Sequence, residues 1–323
     1  MTAIRSFIPP VRQSSRPGIH SLDHFCITAP DLNAAKSFYG AFGLDVRERG
    51  DAMHLHTDGS DHCWGVVREG AAKRLQYVSY GAYADDIAHF AERLQGMGVV
   101  RLDPPRGIDS NGLWFRDNDG NLVEIKAADK SSPTEKSTVH NPSVPAGVRG
   151  APIRGTTAQV RPRRLAHVLL FARDIPGSIA FYREALGLRL SDEAGVVAFL
   201  HGIHGSDHHL IAFAKSNAPG FHHASWDTAS IHEVGLGAQQ MANEGYRAGW
   251  GLGRHVLGSN YFHYVRDPWG SYSEYSSDID YIPADADWEG GHYTPENGFY
   301  LWGPEPPPDF ATNFEGMDVT PSP

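Results

Sequence analysis

The stretch YFHYVRDPWGSYSEYSSDIDY, residues 261 to 281, reads as a strand, a D-P-x-G turn and a second strand, and it sets an acid, Glu274, among aromatic and small side chains. A carboxylate on a half-buried strand loses hydration that only a cation or a set of donors replaces. The chain is rich in groups that could bring a cation: of its 18 histidines, 11 fall between His167 and His292. Two neutral imidazoles and one carboxylate form a ligand set for a divalent ion, which would neutralise Glu274 at short range and leave coordination positions free for reactants.

An internal repeat selects the histidines. LDHFCITAPDLNAAKSFYGAFGL from Leu22 and LAHVLLFARDIPGSIAFYREALGL from Leu165 share one plan. A short apolar strand carries a His (His24, His167), and seven residues later an Asp (Asp31, Asp174) stands at a helix N-cap. The helix holds Phe38-Tyr39 or Phe181-Tyr182 at one place and ends at Gly43 or Gly187. Downstream, DGSDHCWGVV (58–67) answers HGSDHHLIAF (204–213), LQYVSY (75–80) answers FHHASW (221–226), and WFRDNDGNLVE (114–124) answers YVRDPWGSYSE (264–274). Both copies keep the first His and the last Glu (Glu124, Glu274), but Tyr77 stands opposite His223 and Cys63 opposite His209. Only the second copy assembles His167, His223 and Glu274, a facial set of the kind that holds non-haem Fe(II) with open positions. Strand alternation turns His222, the alternative to His223, to the opposite face.

Composition excludes other classes. A formal charge of −10 argues against a nucleic-acid surface, and the one basic cluster, Arg161, Arg163 and Arg164, is small. The beginning, MTAIRSFIPPVRQSS, lacks the apolar core of a signal peptide, and no apolar run suits a membrane span. Two cysteines, Cys26 and Cys63, read as small buried side chains rather than a disulfide framework. These features predict a cytoplasmic protein with neither a nucleic-acid nor a membrane partner.

The segment RHVLGSNYFHYVRDPWGSYSE, with His255, Tyr264 nine residues on and Glu274 ten further, resembles the signature of the type I extradiol ring-cleaving dioxygenases of the vicinal oxygen chelate superfamily. HHLIAF and FHH extend the likeness over both modules, about residues 20–280. His263 departs from it, standing where the family usually has an aliphatic residue or Phe. The resemblance implies an α+β fold of duplicated βαβββ modules. It implies Fe(II), with Mn(II) as the alternative, on His167, His223 and Glu274, and a catechol and O₂ as small-molecule partners. His209, rather than its neighbour His208, would be the acid–base residue, because HLIAF matches the family's His-x-x-Ala-Phe arrangement. His255 and Tyr264 would donate hydrogen bonds to substrate oxygens. Members that take carboxylated catechols carry Arg where this chain has Trp250, which points to an uncharged ring substituent. Trp250, Tyr261 and Trp269 are candidates for the pocket wall.

The expected organisation is an N-terminal extension (1–19), a degenerate module without metal (20–128), a Pro/Gly/Ser/Thr-rich linker (129–162), the metal-binding module (163–280) and an aromatic, Pro-rich C-terminal segment (281–323) that packs over a module, its NGFYLWGP closing the pocket. In the first module His24 and Glu124 would be vestiges satisfied by hydrogen bonds. A homo-oligomer is expected. The expected activity is meta cleavage of a substituted catechol to a 2-hydroxymuconic semialdehyde-type product. The alternatives are a metal-dependent lyase or isomerase, which has no need of the His209, His255 and Tyr264 set, and a ligand-binding protein of the same fold.

Overall fold

The computed structural model describes residues 12–13, 16–140 and 143–316. Much of the expected N-terminal extension, residues 141–142 of the linker and residues 317–323 lie outside the described residues. Two mixed sheets, each with helices against one face, form the α+β architecture that the repeat implies.

The first module runs β1 (Ser21–Ala29), α1 (Leu32–Ala41), β2 (Asp45–Arg49), β3 (Ala52–His56), β4 (Gly65–Glu69), β5 (Arg74–Ala82), α2 (Ile87–Gly96), β6 (Leu113–Arg116) and β7 (Leu122–Ala127). The second repeats this as β8 (Arg164–Ala172), α3 (Ile175–Leu186), β9 (Arg189–Ala194), β10 (Val197–His201), a short β11 (Ser206–Asp207), β12 (Ile211–Lys215), β13 (Gly220–Asp227), α4 (Ile231–Asn243), β14 (Gly249–His255), β15 (Tyr261–Arg266) and β16 (Tyr272–Ser277). The C-terminal segment adds β17 (Tyr281–Ile282), β18 (Gly291–Tyr293), α5 (Pro295–Gly298) and β19 (Tyr300–Trp302). Sheet orders are β2-β3-β4-β1-β5-β7-β6 and β18-β9-β10-β12-β8-β13-β16-β15-β14-β19. The C-terminal segment is therefore part of the second sheet, holding both of its edges through β18 on β9 and β19 on β14.

Helix ends follow the sequence signals in part. Asp31 caps α1 by accepting from the backbone N–H of Asn33 at 2.8 Å and of Ala34 at 3.0 Å. Asp174 holds the same position before α3 without a side-chain cap, and Gly187 ends that helix in the left-handed conformation at φ 72°. Gly43 has a different constraint: a Cβ there would meet the carbonyl oxygen of Val160, so the returning linker requires glycine.

Register carries the duplication into three dimensions. Ser79 pairs with both His24 and Glu124 in the first sheet, and Ser225 pairs with both His167 and Glu274 in the second. A bulge follows at the same place in each, leaving Gln76 and His222 outside the ladder.

The modules share one core. Phe42 stacks on Tyr275 at 3.8 Å, the Tyr275 hydroxyl donates to the Phe42 carbonyl at 2.8 Å, and Phe25 stacks on Phe221 at 5.2 Å. The linker is docked rather than free, with the Val160 N–H donating to Gln240 Oε1 at 2.8 Å. Lys73 is buried at the junction, where its ammonium donates to the Phe221 carbonyl at 3.0 Å and to Ser271, and pairs with Glu315 at 2.6 Å. In the arginine cluster, Arg161 pairs with Asp58 at the surface, Arg163 with Asp227 and Arg164 with Asp207. No helix among the described residues is long and apolar enough to cross a membrane.

Removing one member of a buried ion pair strands the other, at a cost of about 3 kcal/mol. Lys73→Ala is therefore expected to lower the unfolding free energy by about that amount in urea titration and to speed proteolysis of the C-terminal segment that Glu315 anchors.

Candidate metal centre

Three central strands of the second sheet present the ligand set. β8 carries His167, β13 carries His223 and β16 carries Glu274, and the shared register at Ser225 brings them together. The Nε2 atoms of His167 and His223 lie 3.3 Å apart, and Glu274 Oε2 lies 3.3 Å from the first and 3.6 Å from the second. All three side chains are almost wholly buried. Atoms so spaced can all stand about 2.1 Å from one point, the bond length of nitrogen and oxygen ligands to a first-row divalent ion.

Hydrogen bonding separates the two carboxylate oxygens of Glu274. Oε1 accepts from Asn260 Nδ2 at 3.1 Å, and the same amide group donates to Ser276 Oγ at 3.0 Å. Oε2 is buried with no hydrogen-bond partner. Burial alone would raise the Glu274 pKa, but the imidazoles, His167 first, outweigh it and hold the carboxyl below its ordinary value. An ionised, unsatisfied carboxylate oxygen facing two imidazole nitrogens fits a cation.

The correction to strand alternation comes at His222. The bulge between Phe221 and His223 turns both imidazoles to the same side, with their Nδ1 atoms 2.7 Å apart. His222 Nε2 lies 2.8 Å from the Phe310 carbonyl, which only accepts, so Nε2 carries the hydrogen. Burial pulls the His222 pKa down to about 4, and a neutral His222 then accepts at Nδ1 from His223 Nδ1–H. His223 Nε2 is left as a lone pair aimed at Glu274 and His167, as a ligand must be. The His167 Nδ1 atom has no such partner; its ring packs on that of His209 at 4.0 Å.

His209, His255 and Tyr264 gather around this triad. Burial, followed by the neighbouring imidazoles, pushes the pKa of His209 well below its ordinary value. The Tyr264 ring lies 5.1 Å from that of His223, and burial, followed by the Glu274 charge, raises its hydroxyl pKa well above normal. His255 Nδ1 donates to the Phe299 carbonyl at 2.9 Å, which leaves Nε2 to accept from the Tyr264 hydroxyl at 2.9 Å. Burial lowers the His255 pKa. Neutral His255 therefore accepts at Nε2 the one hydrogen of the Tyr264 hydroxyl, so the two residues form a closed pair at the cavity wall.

A cavity of about 420 Å³ opens from the triad, lined by His209, His255, Tyr264 and a mainly apolar wall that includes Leu169, Phe199, Leu257, Phe299 and Phe310. The three aromatics expected in that wall are elsewhere. Trp250 pairs with Tyr264 in register but lies one strand further out, covered by Phe299 and Phe310, with its Nε1–H donating to the Pro304 carbonyl at 2.7 Å. Alternation along β15 sends Tyr261 to the other face, under Arg254, and Trp269 sits in the turn after β15, packed on the core. The wall comes instead from β8, β10 and the C-terminal segment. Asn260 stands inside the signature but has no titratable group to mark it, and Phe299 and Phe310 act through backbone carbonyls that sequence does not distinguish.

The first module keeps a cavity of about 730 Å³ at the matching place, lined by His24, Cys63, Tyr77 and Glu124 among others. There Glu124 accepts from Ser79 and Ser110, and His24 bonds Asp23 at 2.6 Å and Tyr77 at 3.2 Å. His54, His56 and Cys63 also group nearby; burial holds the Cys63 thiol up at about 11, and it donates to the Gly65 carbonyl. Neither cysteine forms a disulfide.

The chain belongs to the Glyoxalase/Bleomycin resistance protein/Dioxygenase superfamily, whose family model matches residues 21–125 and 164–275. Among curated proteins it is 48% identical over 312 residues to Metapyrocatechase 2 of Cupriavidus necator, covering 96% of this chain and 97% of that one. It is 26% identical over 279 residues to the biphenyl-2,3-diol 1,2-dioxygenase of Paraburkholderia xenovorans, covering 80% and 87%. The fold matches that of homoprotocatechuate 2,3-dioxygenase from Arthrobacter globiformis with a TM-score of 0.74 at 20% identity, over 96% of this chain and 95% of that one.

Partners that orient metal ligands are worth about 10–100-fold in affinity. His222→Phe removes the acceptor for His223 Nδ1–H, and metal competition with a chelator is expected to show a loss of that order, with the fold intact by circular dichroism.

Proposed function

We propose that this chain is an extradiol dioxygenase: it opens a catechol ring beside the diol, placing both atoms of O₂ in a 2-hydroxymuconic semialdehyde-type product. The observation that carries this reading is the convergence of His167, His223 and Glu274 at the floor of a cavity that also holds His209 and the Tyr264–His255 pair. The relative at 48% identity, a metapyrocatechase, and the one named as a biphenyl-diol dioxygenase support it.

The two imidazoles and the carboxylate would hold Fe(II), with Mn(II) able to occupy the same nitrogen and oxygen donors. Such an ion supplies charge that favours the deprotonated diol and open positions that keep diol and O₂ in contact. The chain's residues do the rest. Asn260 holds Oε1 of Glu274, which leaves Oε2 facing the nitrogens of His167 and His223. His209 is neutral and takes a proton at Nε2, later returning it. The Tyr264 hydroxyl donates to His255 Nε2, and His255, held by Phe299, fixes where that hydroxyl sits; a bound diol oxygen would take the hydrogen in place of His255. Phe199, Phe299 and Phe310 exclude water from the cavity.

The substrate class follows from the wall. It is mainly apolar; Arg254 is paired with Asp278 at 3.5 Å, and Lys215 stands at the solvent-exposed rim with its ammonium turned to the Arg173 carbonyl. A ring carboxylate would be buried there without a partner, so the ring carries an uncharged alkyl or aryl substituent. A cytoplasmic homo-oligomer completes the reading; the free cysteines suit that compartment, and Leu301 and Trp302 stand exposed on the edge strand β19.

Anaerobically purified enzyme loaded with Fe(II) is expected to consume one O₂ per catechol and to give a product absorbing in the visible range. Turnover without O₂ uptake would instead place the chain among lyases or isomerases. Methyl- or phenyl-substituted catechols are expected to exceed carboxylated ones by about 100-fold in kcat/KM. His209→Asn should lower kcat by about 10²–10⁴-fold while metal content, read by elemental analysis, is retained.

A further inference from the structure

The pair His208-His209 is joined Nδ1 to Nδ1 like the pair His222-His223. His208 Nδ1 and His209 Nδ1 are 3.0 Å apart, and His208 Nε2 lies 2.7 Å from Asp192 Oδ2. His208 is completely buried. Asp192 is itself held from the C-terminal segment, since its Oδ1 accepts from the Gly291 N–H at 2.7 Å. The His208 backbone is pinned as well, its N–H donating to the Asp280 carbonyl at 2.7 Å. The Trp288 ring packs edge-on against the His208 imidazole at 5.6 Å.

We propose that His208 and Asp192 are positioning residues for His209, fixing its tautomer. The ionised carboxylate only accepts, so His208 carries its hydrogen on Nε2. With His208 neutral, as the proposal requires, its Nδ1 offers a lone pair, and the only hydrogen that can meet it is on His209 Nδ1. His209 is left with a bare Nε2 that makes no hydrogen bond among the described residues, on a ring that lines the cavity. The relay Gly291 N–H, Asp192, His208, His209 thus presents a proton acceptor to the reactants before substrate arrives. Holding one tautomer and one ring angle removes the cost of selecting them during the reaction. The opposite order, with hydrogen on His208 Nδ1 donated to His209, would put a hydrogen on His209 Nε2 and make it a donor. The inference takes from the proposed function only the reaction it serves; the tautomer is a property of the protein and is measurable without turnover.

The test has two arms. In the zinc-loaded, diamagnetic protein with ¹⁵N-labelled histidine, long-range ¹H–¹⁵N correlation spectra, assigned with His209→Asn, are expected to show His209 protonated at Nδ1 and bare at Nε2. Hydrogen found on Nε2 overturns the proposal. In the Fe(II) enzyme, His208→Phe, which lacks an acceptor, is expected to lower kcat by about 10–100-fold with metal content and KM for catechol nearly unchanged. His208→Asn, whose Oδ1 can accept from His209 Nδ1, is expected to restore most of that loss. Unchanged kcat in His208→Phe, or an equal loss in both variants, overturns the proposal. If His208→Phe does not fold, the spectra of the unsubstituted protein decide. Enzyme that shows the expected tautomer yet turns over no catechol would overturn the assigned reaction and leave the relay standing.

Discussion

One oxygen atom, Glu274 Oε2, sets the terms for the second module. It is buried, ionised and without a donor, and two imidazole nitrogens 3.3 and 3.6 Å away face it. An uncompensated buried charge costs several kcal/mol. Burial pushes the His223 pKa well below its ordinary value, so that imidazole does not supply the offsetting charge. A bound divalent cation would satisfy the carboxylate and both lone pairs together, so affinity for such an ion would be stored in the fold as unsatisfied electrostatics.

Keeping those lone pairs exposed is a problem of hydrogen placement, and the C-terminal segment contributes to it. The Phe310 carbonyl orients His222 and through it His223, the Phe299 carbonyl orients His255 and through it Tyr264, and the Gly291 N–H holds Asp192. Backbone groups suit this task because each is permanently a donor or an acceptor and does not titrate. The same residues form part of the cavity wall, so covering the pocket and fixing its tautomers are one structural act.

The parts of this arrangement that recur in sequence were the legible ones. Duplication made His167, His223 and Glu274 stand out, because two copies of a strand pattern expose where their residues differ, and register then follows from the strands. The bulge at His222 was not legible: it depends on how β13 pairs with β8, and alternation counted along one strand turns the imidazole the wrong way. Trp250, Tyr261 and Trp269 lie close to the signature in sequence, yet distance from the centre is measured across strands and faces. Trp250 is one strand too far out, and Tyr261 is on the wrong face. Asn260, Asp192 and the two carbonyls act by hydrogen-bond geometry, which residue type alone does not carry.

The first module keeps the same scaffold with different side chains at the matching place. Its cavity persists, and His24, Ser79 and Glu124 keep the register of His167, Ser225 and Glu274. Tyr77, in place of His223, bonds His24 Nε2 and occupies the nitrogen that would face an ion. Ser79 and Ser110 each donate to a different oxygen of Glu124, whereas in the second module Ser225 Oγ has no partner and Oε2 stays bare. Two neutral donors thus do for Glu124 what a cation would do for Glu274, and a carboxylate satisfied by hydroxyls has less electrostatic demand for an ion. Restoring a single histidine at position 77 would supply a ligand but not that demand.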